Sequence, residues 1–376
     1  MTNTQDEVNY LWRHARLASA MQTAGLDALA FNAGPSLTYL TGLHFHLSER
    51  PAVALFTPDH HPTLILPELE TGKINAASYP LQAFPYGEDP EEWTAAFQAA
   101  ALATGLDGRK VGVEPRRLRV LELRLLEAAA HRAKFVSAEE PLASQRIHKD
   151  DNELTAMRKA VAVAQAALLA TLPHIQMGMT ERQLAAELSL QLLRHGSDPE
   201  FPFAPIVASG PNSANPHAFP TERTLSPVDL LILDWGASIG GYISDLTRTF
   251  SLGEPDPELV NIAQVLAQAN AAARTLAAPG VTADQVDHAA RSIIENAGFG
   301  EYFIHRTGHG IGLDGHEEPY IRAGNQLPLA PGMTFTIEPG VYLPDHGGVR
   351  IEDDVVITTY GCESLSDLPR ELITIL

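Results

Sequence analysis

The hydrophobic pattern opens with apolar residues at helical spacing from Arg13 to Gly25, and Gly25 stands where a left-handed residue would end a helix. Short apolar runs at Ala28–Phe31, Val53–Thr57, Thr63–Leu66 and Val111–Val113 predict strands, and Trp93–Ala103 and Arg117–Ala130 predict helices between them. This alternation describes a compact α/β unit. Pro141 and the polar stretch Ser144–Asp151 predict an exposed boundary, with one domain over residues 1–143 and a second over 144–376.

Beyond that boundary the pattern predicts a helix at Asp151–Thr171 and a second at Thr180–His195, opened by the capping signals Thr180 and Glu181. A strand-rich stretch follows from Ile206 to Phe250. Helices at Pro257–Ala278 and Thr282–Ala297 come next, and then a second strand-rich stretch to the end. Helix pair, strands, helix pair, strands is the pattern of two similar halves, although no residue-level repeat is visible between them.

Two strand pairs in this second part carry acids on faces that should be buried. Leu230–Ala237 and Tyr242–Thr247 flank Gly240-Gly241 and predict a hairpin. With Ile239-Gly240 as the loop, Asp234 lies opposite Asp245; with Gly240-Gly241 the two are diagonal neighbours on one face. Either register holds two carboxylates roughly 5–8 Å apart, where like charges repel unless a cation lies between them. Met333–Gly340 and Gly348–Val355 repeat the construction, and a three-residue loop from Pro344 to His346 would set Glu338 opposite Glu352. Between the hairpins, His305-Arg306-Thr307-Gly308-His309-Gly310-Ile311-Gly312 holds three glycines that let the backbone bring His309 close to other segments.

Two Asp, two Glu and one His form an oxygen-rich set without sulfur, suited to Mn²⁺, Co²⁺, Fe²⁺ or Zn²⁺, and bridging carboxylates favour a pair of ions. Singly, each acid reads more simply as a solvated strand face and His309 as a capping or core residue. Together they end apolar runs, and buried charges must be paired or metal-bound.

Composition agrees with this picture. The 376 residues are 45% hydrophobic and 19% charged, enough to bury a large core. Basic residues number 26 and acidic residues 46, a net charge of −20 that repels nucleic acid and anionic membrane surfaces. Residues 1–150 carry 14 basic and 18 acidic side chains, so −16 of that charge lies beyond them. Four assigned carboxylates explain part of the excess. The single cysteine, Cys362, fits a reducing compartment, and the polar start Met1–Tyr10 with no long apolar run predicts a soluble cytoplasmic protein.

The strings Ile206–His217 (IVASGPNSANPH), Leu233–Ala237 (LDWGA), Ser244–Thr249 (SDLTRT), His305–Glu317 (HRTGHGIGLDGHE), Phe335–Gly340 (FTIEPG) and Gly348–Asp354 (GVRIEDD) together resemble the pita-bread metallopeptidases, specifically the Xaa-Pro peptidases aminopeptidase P and prolidase. Arg16, Gly25 and Tyr39–Gly42 are similar to the creatinase-type N-terminal domain of that family. The resemblance spans essentially the whole chain. It implies an α/β fold (α+β) in which a creatinase-type N-terminal α/β domain precedes a pseudo-symmetric pita-bread catalytic domain.

It also implies that Asp234, Asp245, His309, Glu338 and Glu352 hold two divalent ions, manganese first with cobalt or zinc as alternatives. His217 and His316 would stand beside them and stabilise the transition state. A bridging water would attack the Xaa-Pro carbonyl with Glu338 as general base. His305 is a candidate for the proline pocket, and Arg350 either anchors a substrate carboxylate or orients Glu352. Trp235 departs from the commoner Phe, Tyr or Ile at its position. His44 and His46 are minor candidates for a specificity role in a homodimer.

Short proline-containing peptides are the expected substrates, and aminopeptidase P activity is the first reading. Its alternatives are a prolidase restricted to dipeptides and a silent binding protein of the same fold. A creatinase-like enzyme is disfavoured because all five metal positions are filled here. A methionine aminopeptidase is disfavoured because that branch generally lacks the N-terminal domain.

Overall fold

The computed structural model describes residues 4–375 and divides the chain into two units, Met1–Arg146 and Ile147–Leu376. In the first, helix α1 (Thr4–Ala24) ends at Gly25, whose φ of 61° is the left-handed stop expected there. Strands β1 (Ala28–Asn32), β2 (Val53–Phe56), β3 (Thr63–Pro67), β4 (Gln82–Tyr86), β5 (Lys110–Val113) and β6 (Lys134–Ser137) form one mixed sheet in the order β4-β3-β2-β1-β5-β6. Helices α2 (Pro35–Thr41), α3 (Pro90–Ala103) and α4 (Val120–Ala129) accompany it. Phe97 of α3 and Leu126 of α4 are buried in one cluster with Val53, Leu55, Ile65 and Val111 of the sheet.

The periodicity does not reveal β4 and β6, and both are edges of that sheet. Edge strands carry weaker apolar patterns, and Pro85 is tolerated in β4 because one side of an edge needs no ladder donor. The expected linker also differs. Helix α5 (Glu139–Arg146) runs through Pro141, which stands in the first turn where a missing N–H breaks no bond. The rest of that stretch is anchored rather than loose: His148 bridges to Met333, and Lys149 is buried.

The second unit opens with α6 (Asp151–Thr171), capped by Asp150, and α7 (Glu181–Arg194), capped by Thr180 with Gln183 as its reciprocal partner. Strands β7 (Ile206–Ser209), β8 (Leu230–Trp235), β9 (Ser238–Ile239), β10 (Tyr242–Ile243) and β11 (Leu246–Ser251) follow. Then come α8 (Pro257–Leu276) and α9 (Ala283–Asn296), the latter capped by Thr282 with Gln285. The chain continues through β12 (Gly308–Gly310), β13 (Glu317–Ile321), β14 (Thr334–Ile337), β15 (Gly340–Leu343), β16 (Gly347–Arg350), β17 (Asp353–Ile357), β18 (Cys362–Ser364) and β19 (Ile373–Thr374).

Two larger sheets result, β19-β11-β8-β7 and β13-β12-β14-β17-β18, beside the two-stranded ladders β9-β10 and β15-β16. Each buries an apolar face against its own helix pair. Leu231, Leu233 and Trp235 cluster with Leu168, Leu184 and Leu188; Phe335, Ile337 and Val355 cluster with Ile262, Leu266 and Val286. The halves thus share a plan, down to a Thr-x-x-Gln capping box at the start of the second helix of each pair. Among the described residues no helix is long and apolar enough to cross a membrane.

Both hairpin registers are fixed. In the first, Tyr242 pairs with Ile239 and Thr247 with Asp234, so Gly240-Gly241 forms the loop with φ of 59° and 81°. This is the diagonal of the two expected arrangements. In the second, Ile337 pairs with Asp353 and Gly340 with Arg350, and the loop is Pro344 to His346 with Asp345 at φ 60°. That register sets Glu338 opposite Glu352. Each apparent long strand is in fact two, broken at Glu338-Pro339 and at Ile351-Glu352, where the chain passes from one sheet to another.

Candidate active site

The acids converge where the ladders break. Asp234 pairs with Thr247, and Asp245 lies two residues before Thr247 on the same face. Glu352 joins from the other half: its N–H donates to the Thr247 carbonyl over 3.1 Å, and Thr247 Oγ1 donates to its Oε2 over 2.6 Å. His309 arrives on β12, which lies against β14 so closely that a Cβ on Gly308 would stand 1.8 Å from the Thr336 carbonyl oxygen. On Gly310 it would stand 2.3 Å from the Glu318 oxygen. Only glycine permits that approach on either side of the histidine.

His309 Nδ1 lies 3.1 Å from the Gly310 carbonyl, which as a donor contact leaves Nε2 as the atom presented to the acids. Nε2 is 3.3 Å from Glu338 Oε1 and 3.8 Å from Asp245 Oδ2. Asp245, His309 and Glu352 each place a ligand atom within 4.8 Å of the others. All five side chains are buried or nearly so, Glu338 the most open at 15% exposure.

Burial and mutual repulsion shift every acid in the cluster upward. Desolvation, then the neighbouring Glu352 and Asp234, raises Asp245 well above the carboxylate range, and desolvation with Glu338 and Asp234 does the same to Glu352. Burial pushes Glu338 up to about 7, and it raises Asp234 against the pull of Arg350. His309 is driven well below 6.5 by burial and by His316. Asp234 Oδ1 is buried with no hydrogen-bond donor among the described residues. Carboxylates that repel one another, a neutral imidazole and an orphaned buried oxygen are what a divalent cation would satisfy, so this donor set fits one.

Around the acids stand the other residues expected from the sequence. Arg350 is 4% exposed and donates from Nη2 to Asp234 Oδ2, from Nη1 to the Tyr342 hydroxyl and the Pro216 carbonyl, and from Nε to Thr247 Oγ1. His305 Nε2 lies 3.0 Å from that same Tyr342 hydroxyl, and burial pushes its imidazole down to about 4. His316 stacks beside His309 with ring centroids 4.0 Å apart, and Arg306 reaches its Nδ1 at 3.2 Å. His217 is exposed, yet near enough to act electrostatically on Asp234, His305 and His316.

Trp235 faces away from the acids: it is fully buried and donates from Nε1 to the Ala164 carbonyl in α6. His44 and His46 are exposed in the first unit and stack edge to face at 5.1 Å.

Sequence reasoning passed over Tyr342, Thr247 and Asp354, which link the chosen residues to one another. Asp354 Oδ2 accepts the N–H of Asp245 over 3.0 Å. For Tyr342 a signal existed, because it alternates with Glu338 and Gly340. A Cβ on Gly340 would stand 2.3 Å from its hydroxyl, so the glycine makes its room.

Residues 155–359 match the model of metallopeptidase family M24, and residues 13–148 match the creatinase/prolidase N-terminal domain. Among solved structures, the dipeptidase PepE from Mycobacterium ulcerans is 37% identical with a TM-score of 0.90, covering 98% of this chain and 99% of that one. A prolidase from Thermococcus sibiricus is 33% identical with a TM-score of 0.92, covering 97% and 99%. A Xaa-Pro dipeptidase from Lactobacillus delbrueckii subsp. lactis is 34% identical over 358 residues, 95% of this chain and 97% of that protein. With a family match across more than half its length and relatives this similar from end to end, the chain belongs to metallopeptidase family M24, with the divalent-metal chemistry that family implies.

Proposed function

We propose that this protein is a Xaa-Pro dipeptidase that uses two divalent cations, manganese first among them, held by Asp234, Asp245, His309, Glu338 and Glu352. The observation that carries the reading is the convergence of four buried carboxylates and one imidazole Nε2, with one Asp234 oxygen left without a donor. The relatives named for dipeptidase or prolidase activity favour the dipeptide reading over the aminopeptidase P reading that comes first from sequence.

Divalent cations bound there would polarise the scissile carbonyl and make a water acidic enough to ionise near neutral pH. The chain's own residues do the rest. Glu338 accepts the proton of the attacking water. His217 and His316 donate to the carbonyl oxygen as it becomes negative. A prolyl nitrogen has no N–H, so the site needs shape rather than a donor on that side, and His305 with Tyr342 forms that wall. Arg350 is committed to Asp234, Thr247 and Tyr342, which favours its role in holding the acids over that of a substrate anchor. Arg306, stacked over Tyr320 at 4.6 Å beside His316, is the better candidate to pair with the free carboxylate of a dipeptide. A homodimer in the cytoplasm completes the proposal; light scattering tests the first and fractionation the second.

Rates on Xaa-Pro dipeptides, Xaa-Pro-Yaa tripeptides and longer peptides, with Mn²⁺, Co²⁺ and Zn²⁺ compared, test the reading directly. Strong preference for dipeptides is expected. Equal rates on longer peptides would restore aminopeptidase P, and no hydrolysis with no bound metal by elemental analysis would point to a silent protein.

A further inference from the structure

One buried carboxylate in the second unit belongs to neither the acid cluster nor the surface. Glu181, the first residue of α7, is fully buried and accepts five hydrogen bonds. Its Oε1 takes the N–H and hydroxyl of Ser209, at 2.7 and 2.9 Å. Its Oε2 takes Asn212 Nδ2 at 2.8 Å, the Thr221 N–H at 3.0 Å and the Thr221 hydroxyl at 2.6 Å.

The position of those donors along the chain gives the arrangement its meaning. Ser209 and Asn212 precede His217 and Thr221 follows it, so one side chain ties together both ends of the loop that carries the histidine. The main chain strengthens the tie, since Glu181 N–H donates to Arg223 O and Arg182 N–H to Thr221 O. Arg223 adds a donor to Ser209 Oγ and a paired contact to Asp229. On its other side the loop meets Arg350, whose Nη1 donates to Pro216 O, the residue before His217.

A helix terminus could be capped with far less, because Thr180 already provides the cap. Burying a carboxylate is costly unless it is saturated with donors, and here the saturation comes from the two ends of one loop. The other half repeats the device. Asp287 of α9, 1% exposed, accepts the N–H and hydroxyl of Thr307 at 3.1 and 2.8 Å, two residues after His305.

We infer that Glu181 is a positioning residue for the proposed reaction, holding the 210–221 loop so that His217 stands at the acid cluster. The inference rests on the dipeptidase reading for its kinetic test and on geometry alone for its spectroscopic one. In Glu181→Gln the amide nitrogen must face donors on one side, those of Ser209 or those of Asn212 and Thr221, so the loop loses its tie at one end while the fold keeps its volume. Misplacing a reacting group by about 1 Å costs on the order of 100-fold, so we expect kcat on a Xaa-Pro dipeptide to fall about 10- to 100-fold, with KM and metal content little changed.

Thr221→Val, at an exposed position, removes the hydroxyl that donates to Glu181 and accepts the Arg223 N–H, and it keeps the test alive should Glu181→Gln fail to fold; a smaller fall in kcat is expected. Combined with His217→Ala, either variant should add no further loss, because it acts through that histidine. In ¹⁵N-histidine spectra the resonance that disappears in His217→Ala should shift or broaden in Glu181→Gln. Unchanged kcat in both variants, multiplying losses in the double variants, or an unmoved His217 resonance would overturn the assignment. Should the unaltered protein fail to hydrolyse dipeptides, the functional reading falls, and the spectra still decide the role of Glu181.

Discussion

Arg350 and Glu352, two residues apart, are joined through Thr247: its Oγ1 receives Arg350 Nε at 3.2 Å and donates to Glu352 Oε2 at 2.6 Å. Through Nη2 the same guanidinium holds Asp234 at 2.6 Å. One planar cation therefore sets the spacing between acids from the two halves of the fold.

Replacing that cation should loosen the cation site rather than empty it. Partners that orient metal ligands are typically worth about 10- to 100-fold in affinity or activity. Arg350→Met is expected to weaken Mn²⁺ binding within that range, read by competition with a metal indicator. Arg350→Lys should recover only a fraction, since an ammonium is a point charge and cannot span Asp234, Thr247 and Tyr342 together. Full recovery by Lys would show that charge alone matters.

The metal-free protein should lose stability as pH rises. Burial pushes Glu338 up to about 7 against 4.5 as a free side chain, and burial with neighbouring carboxylates holds Asp245 and Glu352 well above the carboxylate range. A group whose folded pKa lies above its unfolded value stabilises below the unfolded pKa and loses that contribution through the folded one, at about 1.4 kcal/mol per pH unit and proton. His305 and His309 are shifted down, so their effect is confined to pH below about 6.5 and has the opposite sign. Urea melts of chelated protein between pH 6.5 and 8 should therefore show falling stability, and excess Mn²⁺ should remove the slope. A flat profile without metal would mean that the acids are already compensated.

Much of this was legible in the chain. Gly240-Gly241 and the Pro344–His346 turn fixed which residues could face one another, because side chains alternate strictly along a strand. The acids stood out as charges at the ends of apolar runs. What could not be read was the break at Glu338-Pro339 and at Ile351-Glu352, where each strand changes sheet: a run of apolar residues looks the same whichever partner it pairs with. Thr247 and Tyr342 were hidden for a related reason, since a threonine or tyrosine in a strand is ordinary until its cross-strand neighbour is known. The helix through Pro141 was hidden because that residue reads as a breaker, although proline in a first helical turn breaks nothing.

Two glycine substitutions should separate close approach from turn geometry. Gly308→Ala would place its Cβ 1.8 Å from a backbone oxygen in β14, which no rotamer change relieves. Gly240→Ala meets nothing within 4 Å and carries only the strain of φ 59°, about 1–2 kcal/mol. Thermal melts should show a small shift for Gly240→Ala, and for Gly308→Ala a loss of several degrees or failure to fold, together with lost Mn²⁺ binding because His309 is the next residue. Similar modest shifts for both would show that β12 can move away from β14.

Glu338→Gln separates holding a cation from moving a proton. Its Oε1 accepts from Thr336 Oγ1 at 3.2 Å and lies 3.3 Å from His309 Nε2. The side chain is the least buried of the five. A glutamine keeps the shape and can still coordinate through its carbonyl oxygen, but it cannot accept a proton near neutral pH. Loss of a general base costs about 100- to 10,000-fold, and kcat on a Xaa-Pro dipeptide should fall within that range while elemental analysis still finds bound metal. Asp245→Ala should differ, losing metal and activity together, because that carboxylate has no part beyond coordination. Glu338→Gln with near-normal kcat would assign the proton to another group, and His316, beside His309, would be the next to test.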